Sequence, residues 1–320
     1  MATFAKATFA HSSYAAFRPS YPDTLFDTLL HYHQGPKRLC LDLGCGTGQA
    51  SWPLSRRFER VIGTDPSAGM IQQAQKRYDS ADSKNKSDLH FQQASAESSP
   101  FIKDGEVDCV TAAQSSHWFN YSALWPELKR IVRPGGTAAF WGYKDQVFPD
   151  FPEASRILQH YAYDEHPDKL GSYWPQPGRS YVQNKLRIIQ PPDADWQDVK
   201  RIKYEPGTNG PESGQGTLFM KQTVTVGQCK EYIRTWSSYH GWRETHPGRE
   251  ARSAGGEGDI VDQIFDEMAR MNEHFETEEH KVYLEWGSAL VMAETEVKGL
   301  SVQNVSSRIE RVSRQNDDTR

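Results

Sequence analysis

The sequence is poor in several features that would commit it to a class of function. It has four cysteines in 320 residues, Cys40, Cys45, Cys109 and Cys229, with no C-x-x-C spacing. A disulfide framework or a thiolate metal site wants close pairs, so these read as reduced residues, three of them in or beside predicted core strands. The histidines are no better grouped. His33, His160, His166 and His280 share no ligand spacing with one another or with carboxylates, and no metal is expected. No apolar run approaches the roughly 20 residues that span a bilayer, and no charged-then-apolar leader opens the chain. The net charge is only −5, with Lys and Arg scattered, so no basic stripe tracks a phosphate backbone. The expectation is a cytoplasmic globular protein, monomer or weak homodimer, that works on a small molecule and engages neither nucleic acid nor membrane.

What is present is one sharp motif. Leu41-Asp42-Leu43-Gly44-Cys45-Gly46-Thr47-Gly48 runs an apolar strand into a glycine-rich turn. Glycines there let the backbone turn tightly and approach a ligand closely. The next apolar run, Val61-Ile62-Gly63-Thr64, ends at Asp65, 21 positions after Gly44. A doubly wound βαβ unit puts the carboxylate that accepts both ribose hydroxyls about there. The dinucleotide fingerprint would need glycine at position 49, where this chain has Gln49 and its third glycine falls one place early at Gly48. That favours S-adenosylmethionine (SAM) over NAD.

The rest of the pattern alternates. Strands are predicted over Arg38–Leu43, Arg60–Thr64, Leu89–Gln93, Val107–Ala113 and Thr137–Tyr143, with helices near 49–58, 68–78 and 123–132 between them. Ser67 is a candidate N-cap. Arg133-Pro134-Gly135-Gly136 reads as a helix stop. Beyond Tyr143 the alternation breaks, with a strand over Val199–Tyr204, helices over Gly227–Tyr239 and Asp259–Phe275, and a closing strand within 281–292. This predicts a single domain over residues 1–299: an α/β, Rossmann-like, mostly parallel seven-stranded sheet with helices on both faces. It divides into an N-terminal helical lid (1–36), a cofactor-binding core (37–143), a helical cap insertion (about 144–279) and a closing strand (about 280–293). The polar residues 300–320 read as a flexible tail.

The strand-D-x-G-x-G-x-G form resembles motif I of the class I SAM-dependent methyltransferases. Three further segments resemble the branch of that class containing the fungal trans-aconitate methyltransferases. They are Phe9-Ala10-His11-Ser12-Ser13-Tyr14 with Arg18-Pro19-Ser20-Tyr21-Pro22, then Ala113-Gln114-Ser115-Ser116-His117-Trp118-Phe119, then Tyr232-Ile233-Arg234-Thr235-Trp236-Ser237. The resemblance spans about residues 5 to 293. It implies a SAM-dependent methyltransferase with a cofactor site at Asp42, Gly44, Gly46, Gly48 and Asp65. Pro66, Ser67, Met70, Ser95 and Ala96 would meet the adenine, Gln114 would close the strand-four end, and Tyr14, Arg18 and Tyr21 would come from the lid.

Methyl transfer is an in-line displacement at a carbon already activated by the sulfonium, so alignment and exclusion of water matter most. A carboxylate acceptor is ionised at pH 7 and needs no base. It needs a fixed cation, and Arg18 and Arg234 are the candidates, Arg234 having a solvated helix face as its plain alternative. The expected catalytic residues are His117, Trp118 and Arg234. His117 serves either as a base or as a packing residue, and Trp118 or Trp141 could face the sulfonium. A trans-aconitate-like carboxylate is preferred. O- or N-methylation of an aromatic secondary metabolite, or SAM binding without transfer, are the alternatives. Tyr173, Trp174, Tyr181, Trp196, Trp236, Tyr239 and Trp242 either line a pocket in the cap or form its core.

Overall fold

The strand that precedes the glycine turn is apolar along its whole length because it is covered on both sides. In the computed structural model, which describes residues 17–80 and 88–297, β1 (Leu39–Leu43) is buried at every position. It pairs in parallel with β2 (Arg60–Asp65) and, on its other edge, with β4 (Val107–Ala113). β3 (Asp88–Gln93) extends the sheet beyond β2, and β5 (Val132–Val147) lies parallel to β4. The order β3-β2-β1-β4-β5 reverses direction between β1 and β4. Ligands of open α/β sheets collect in the crevice outside the strand ends at such a point.

Helices α1 (Asp23–Tyr32), α2 (Ser51–Ser55), α3 (Ala68–Asp79) and α4 (Tyr121–Ile131) accompany the parallel strands. Ser67 caps α3 as expected, its Oγ accepting from the Met70 N–H at 3.3 Å. Two apolar clusters form, one on each face of the sheet. One gathers Leu25, Phe26, Leu29 and Leu54 with the aromatics of the cap, and the other holds Leu124, Leu128 and Ile131 of α4.

The far half of the sheet is antiparallel. β9 (Lys281–Thr295) runs against β5, and β6 (Trp196–Glu205) runs against the C-terminal half of β9. The sheet has nine strands rather than seven. The additional pair, β7 (Gln215–Gly216) and β8 (Lys221–Thr225), follows β6 where the sequence predicts no strand. β9 is long enough for this: residues 281–285 hold β8 and residues 288–295 hold β6.

The cap contains α5 (Pro152–Tyr163), α6 (Gly178–Gln183), α7 (Val226–Arg234), α8 (Ser237–Thr245) and α9 (Ile260–Met271). Two expectations are corrected. The helix stops at Ile131 as Arg133-Pro134-Gly135-Gly136 predicts, but the strand starts at Val132 rather than Thr137, those four residues falling at an irregularity in its pairing with β4 where Gly135 has a φ of 70°. The single helix expected over 227–239 is two, because Trp236 turns to an extended backbone and starts α8. Residues 1–16 and 298–320, which hold Tyr14, most of the lid and the tail, lie outside the described residues.

Candidate active site

Two clefts meet at the carboxyl ends of β1, β2 and β4. The first is a cavity of about 180 Å³ lined by Gly44, Cys45 and Gly46 after β1, by Asp65, Pro66, Ser67 and Met70 after β2, and by Ser95 and Ala96 after β3. The loop after β4 supplies Gln114, Ser115, Trp118 and Phe119. Its chemistry follows from the backbone. Gly44 and Gly46 have φ of 64° and 56°, a region costly for residues with a side chain. A Cβ on Gly44 would stand 2.5 Å from the Ser115 Cβ, whereas one on Gly46 would project into open space. The turn is therefore pinned on one side and open to a ligand on the other. Ser115 fixes the pinned side, its Oγ donating to the Leu43 carbonyl at 2.7 Å.

Asp65 ends β2 beside that opening. Its Oδ2 accepts from the Gly46 N–H at 3.0 Å and its Oδ1 from the Ser67 N–H at 2.8 Å. A carboxylate offers about four lone-pair sites, the number that backbone donors and a pair of hydroxyls together would use. The open space at Gly46, the acceptor capacity of Asp65 and the apolar Pro66 and Met70 together fit an adenosyl group with a vicinal diol.

The second cleft is smaller, about 50 Å³, and shares Gln114 and Trp118 with the first. Its other walls are Arg18, His117, Tyr143, Lys144, Asp145 and residues of the cap, including Trp174, Arg179, Tyr232, Trp236 and Ser237. The Arg18 guanidinium lies 5.6 Å from the Tyr232 ring centre and donates to the Thr235 carbonyl at 3.1 Å, so the N-terminal segment docks on α7. Burial, and then the guanidiniums of Arg179 and Arg18, push His117 down to about 3. Its ring is neutral at pH 7, with Nδ1 buried and lacking a hydrogen-bond partner among the described residues.

The partition between clefts is set by Gln114. It has a φ of 54°, unusual for a residue with a side chain, and its amide is consumed by the backbone of β5. Oε1 accepts from the Tyr143 N–H and Nε2 donates to the Tyr143 carbonyl, both at 2.7 Å. The side chain thus continues the β4–β5 pairing past the end of β4.

Of the expected site residues, Gly44, Gly46, Asp65, Pro66, Ser67, Met70, Ser95, Ala96 and Gln114 line the first cleft, as does Tyr21. His117 lines the second and Trp118 both. Four expectations are corrected. Arg18, expected from the lid at the cofactor or as the acceptor's cation, lines the second cleft and not the first. Asp42 is fully buried under the loop, its oxygens accepting from Ser51 Oγ at 2.6 Å and Thr111 Oγ1 at 2.9 Å, so it braces β1 against α2 and β4. Gly48 lines neither described cleft; it is glycine because its φ is 82° and a Cβ would come within 3.0 Å of the Phe91 ring.

Arg234 is the fourth. Tyr232 and Trp236, four apart, share one side of the α7–α8 junction and face the cleft, whereas Arg234 falls between them on the opposite side. Its Nε donates to Asp259 at 2.8 Å and its Nη1 to Glu231 at 2.7 Å, and its Nη2 lies 3.0 Å from both Asp259 and Asp262. Trp141 also leaves the list, packed edge-on against Tyr21 and Phe26 at 5.6 and 6.0 Å. The cap aromatics divide: Trp174 and Trp236 line the second cleft, while Trp196 and Trp242 fill the core. Arg179 and Asp145 escaped the sequence reading. They carry no motif, and only the fold brings them beside His117 and Trp118.

Comparison with known proteins accords with this geometry. Residues 41–140 match the family described as "Methyltransferase domain". The chain is 29% identical over 293 residues to the "Probable S-adenosylmethionine-dependent methyltransferase CRG1" of Saccharomyces cerevisiae, covering 89% of this chain and 96% of that one. These likenesses support a class I SAM-dependent methyltransferase. A Dictyostelium discoideum protein described as a methyltransferase is 28% identical over 71% of this chain and 74% of its own. In fold, the protein is similar to a solved structure described as a type II methyltransferase from Anaeromyxobacter dehalogenans, with a TM-score of 0.62, 24% identity and coverage of 86% and 97%. The cofactor of this methyltransferase is SAM. Among the described residues no helix is long and apolar enough to cross a membrane, and no group of three or more metal-ligating side chains forms.

Proposed function

We propose that this methyltransferase carries out O-methylation of a small-molecule carboxylate, with residues 1–299 acting as one catalytic domain. The observation that carries the reading is the Arg18 guanidinium on the wall of the cleft that shares Gln114 and Trp118 with the cofactor cleft. SAM, when bound, supplies a methyl group on a positively charged sulfur. In this reading Asp65 accepts from the ribose hydroxyls, Gly44 and Gly46 leave room for the amino-acid arm, and Pro66, Ser67, Met70, Ser95 and Ala96 bound the adenine. Arg18 holds the acceptor's negative charge, and Trp118, at the junction, excludes water from the reacting atoms.

His117 is consistent with an acceptor that brings no proton to remove. With its pKa near 3 it is a weak base at neutral pH, and a phenol or amine would need a better one. Its role here is to fill the cleft wall without competing for the anion.

The test is incubation with labelled SAM and a panel of carboxylates including trans-aconitate, together with simple phenols and amines. The expected result is label in carboxylates, recovered as base-labile methyl esters. Label confined to phenols or amines overturns the carboxylate reading, and SAM binding with no labelled product from any compound overturns transfer to these small-molecule classes.

A further inference from the structure

Arg179 and Arg234 are equally buried, each side chain 9% exposed, yet their guanidiniums are satisfied very differently. Arg234, away from both clefts, uses all three of its nitrogens on the carboxylates of Glu231, Asp259 and Asp262. Arg179, on the wall of the second cleft, uses one. Its Nη2 donates to Asp145 Oδ1 and to Tyr163 Oη, and Tyr163 Oη donates to Asp145 Oδ2. Its Nε is buried without a hydrogen-bond partner among the described residues, and Nη1 enters no hydrogen bond among them.

Asp145 therefore balances the charge of Arg179 but not its hydrogen-bonding capacity. A guanidinium carries five N–H groups in a fixed fork, and Nη2 accounts for two of them. The rest, on Nε and Nη1, are left over. A donor withdrawn from water and left unmet costs about 1–3 kcal/mol, and such a group in a folded protein calls for a partner. Trp174 covers a face of the guanidinium, its ring centre 3.9 Å away, so further bonds form only in the guanidinium plane. Arg179 also follows Gly178, where a Cβ would stand 3.2 Å from both His117 Cδ2 and Trp118 Cζ3. Glycine there lets α6 begin directly against the loop that lines both clefts.

We infer that Arg179 is an acceptor-binding residue: with its charge held by Asp145, it donates from the N–H groups that Asp145 and Tyr163 leave to the oxygen of the acceptor's carboxyl group that is not methylated. This rests on the carboxylate reading above and adds a residue that orients the group. The carboxyl group leaves the reaction as a neutral ester, whose carbonyl oxygen still accepts a hydrogen bond, so a donor of balanced charge suits it before and after transfer. The acceptor class that follows has a carbonyl oxygen beside the reacting one, as a carboxylic acid does and a simple alcohol or phenol does not.

The test follows the guanidinium N–H signals of Arg179 by NMR, in protein carrying isotope-labelled arginine and loaded with S-adenosylhomocysteine. Contacts with the Trp174 ring identify them. The protein is titrated with cinnamate, cinnamamide and trans-β-methylstyrene, which share a skeleton and end in a carboxylate, a neutral carbonyl and a methyl group, and with the carboxylate most heavily labelled in the panel above. The two carboxylates are expected to move the signals downfield and slow their exchange with water, cinnamamide to do so less, and the hydrocarbon to leave them in place. Arg179→Lys keeps a cation beside Asp145 but removes the fork, and is expected to raise the KM of the labelled carboxylate about tenfold while the calorimetric SAM affinity holds. A structural role alone would lower the unfolding midpoint and leave that KM unmoved. Should Arg179→Lys fold poorly, the wild-type titration decides. Signals unmoved by a carboxylate that is methylated, signals moved as far by the hydrocarbon, or an unchanged KM in a folded Arg179→Lys overturn the inference and leave the carboxylate reading intact. Label in no carboxylate overturns both.

Discussion

The two clefts are built in opposite ways. The cofactor cleft is a backbone site: glycines with positive φ, main-chain donors gathered on Asp65, and small residues at the ends of three neighbouring parallel strands. The second cleft is a side-chain site, assembled from Arg18, the loop after β4, residues 143–145 of β5 and two separate pieces of the cap. The parallel half of a doubly wound sheet offers the same strand-end crevice whatever is bound there. The cap has no such template, so the shape and charge of the second cleft are set by which distant side chains the cap folds together.

The sharpest break of this comparison is a residue that belongs to neither cleft. Arg234→Met removes the cation from a buried cluster with Asp259 and Asp262, and is expected to cost about 3–5 kcal/mol of stability, read as a lower midpoint in urea unfolding. SAM affinity and acceptor KM of the protein that stays folded should not move. A selective rise in carboxylate KM would return Arg234 to the site.

Next come the paired variants that separate the clefts. Asp65→Ala is expected to weaken SAM binding by about 2–3 kcal/mol, the worth of hydrogen bonds to a charged group, with acceptor KM little changed. Arg18→Met is expected to do the reverse, raising KM for a carboxylate about tenfold, roughly 1.4 kcal/mol, while the calorimetric SAM affinity holds. If each variant disturbed both ligands equally, the clefts would be one site.

The smallest effect concerns Asp42, which braces the glycine turn without lining it. Burial pushes its carboxyl up to about 6 from 3.8, despite the opposing hydrogen bonds from Ser51 and Thr111. A raised folded-state pKa gives stability that is full below pH 3.8 and lost as pH rises through 6. Asp42→Asn should therefore flatten the pH dependence of unfolding across that window, measured in urea. An unchanged pH profile would place the ionisation elsewhere.

Much of this was legible in the chain. The apolar strand, the turn of Gly44 and Gly46, and Asp65 one strand later specify a nucleoside site because backbone conformation and a short loop are local properties. The same locality misled at Asp42 and Gly48, where the motif's residue types were right but their roles were packing. β7 and β8 were missed because their few residues acquire strand geometry only by pairing with β6 and β9.

By itself the sequence determined the fold class, the donor cleft and its cofactor, since strand–turn–helix order and glycine spacing need no distant partner to be read. Tertiary structure alone decided the second cleft. It turned Arg234 away because two residues along a helix is about half a turn. It also brought Arg179 and Asp145, 34 residues apart and without a motif, into one buried ion pair on the wall of the second cleft. The charge of an acceptor site is a sum over whatever the fold assembles, and no stretch of chain holds that sum.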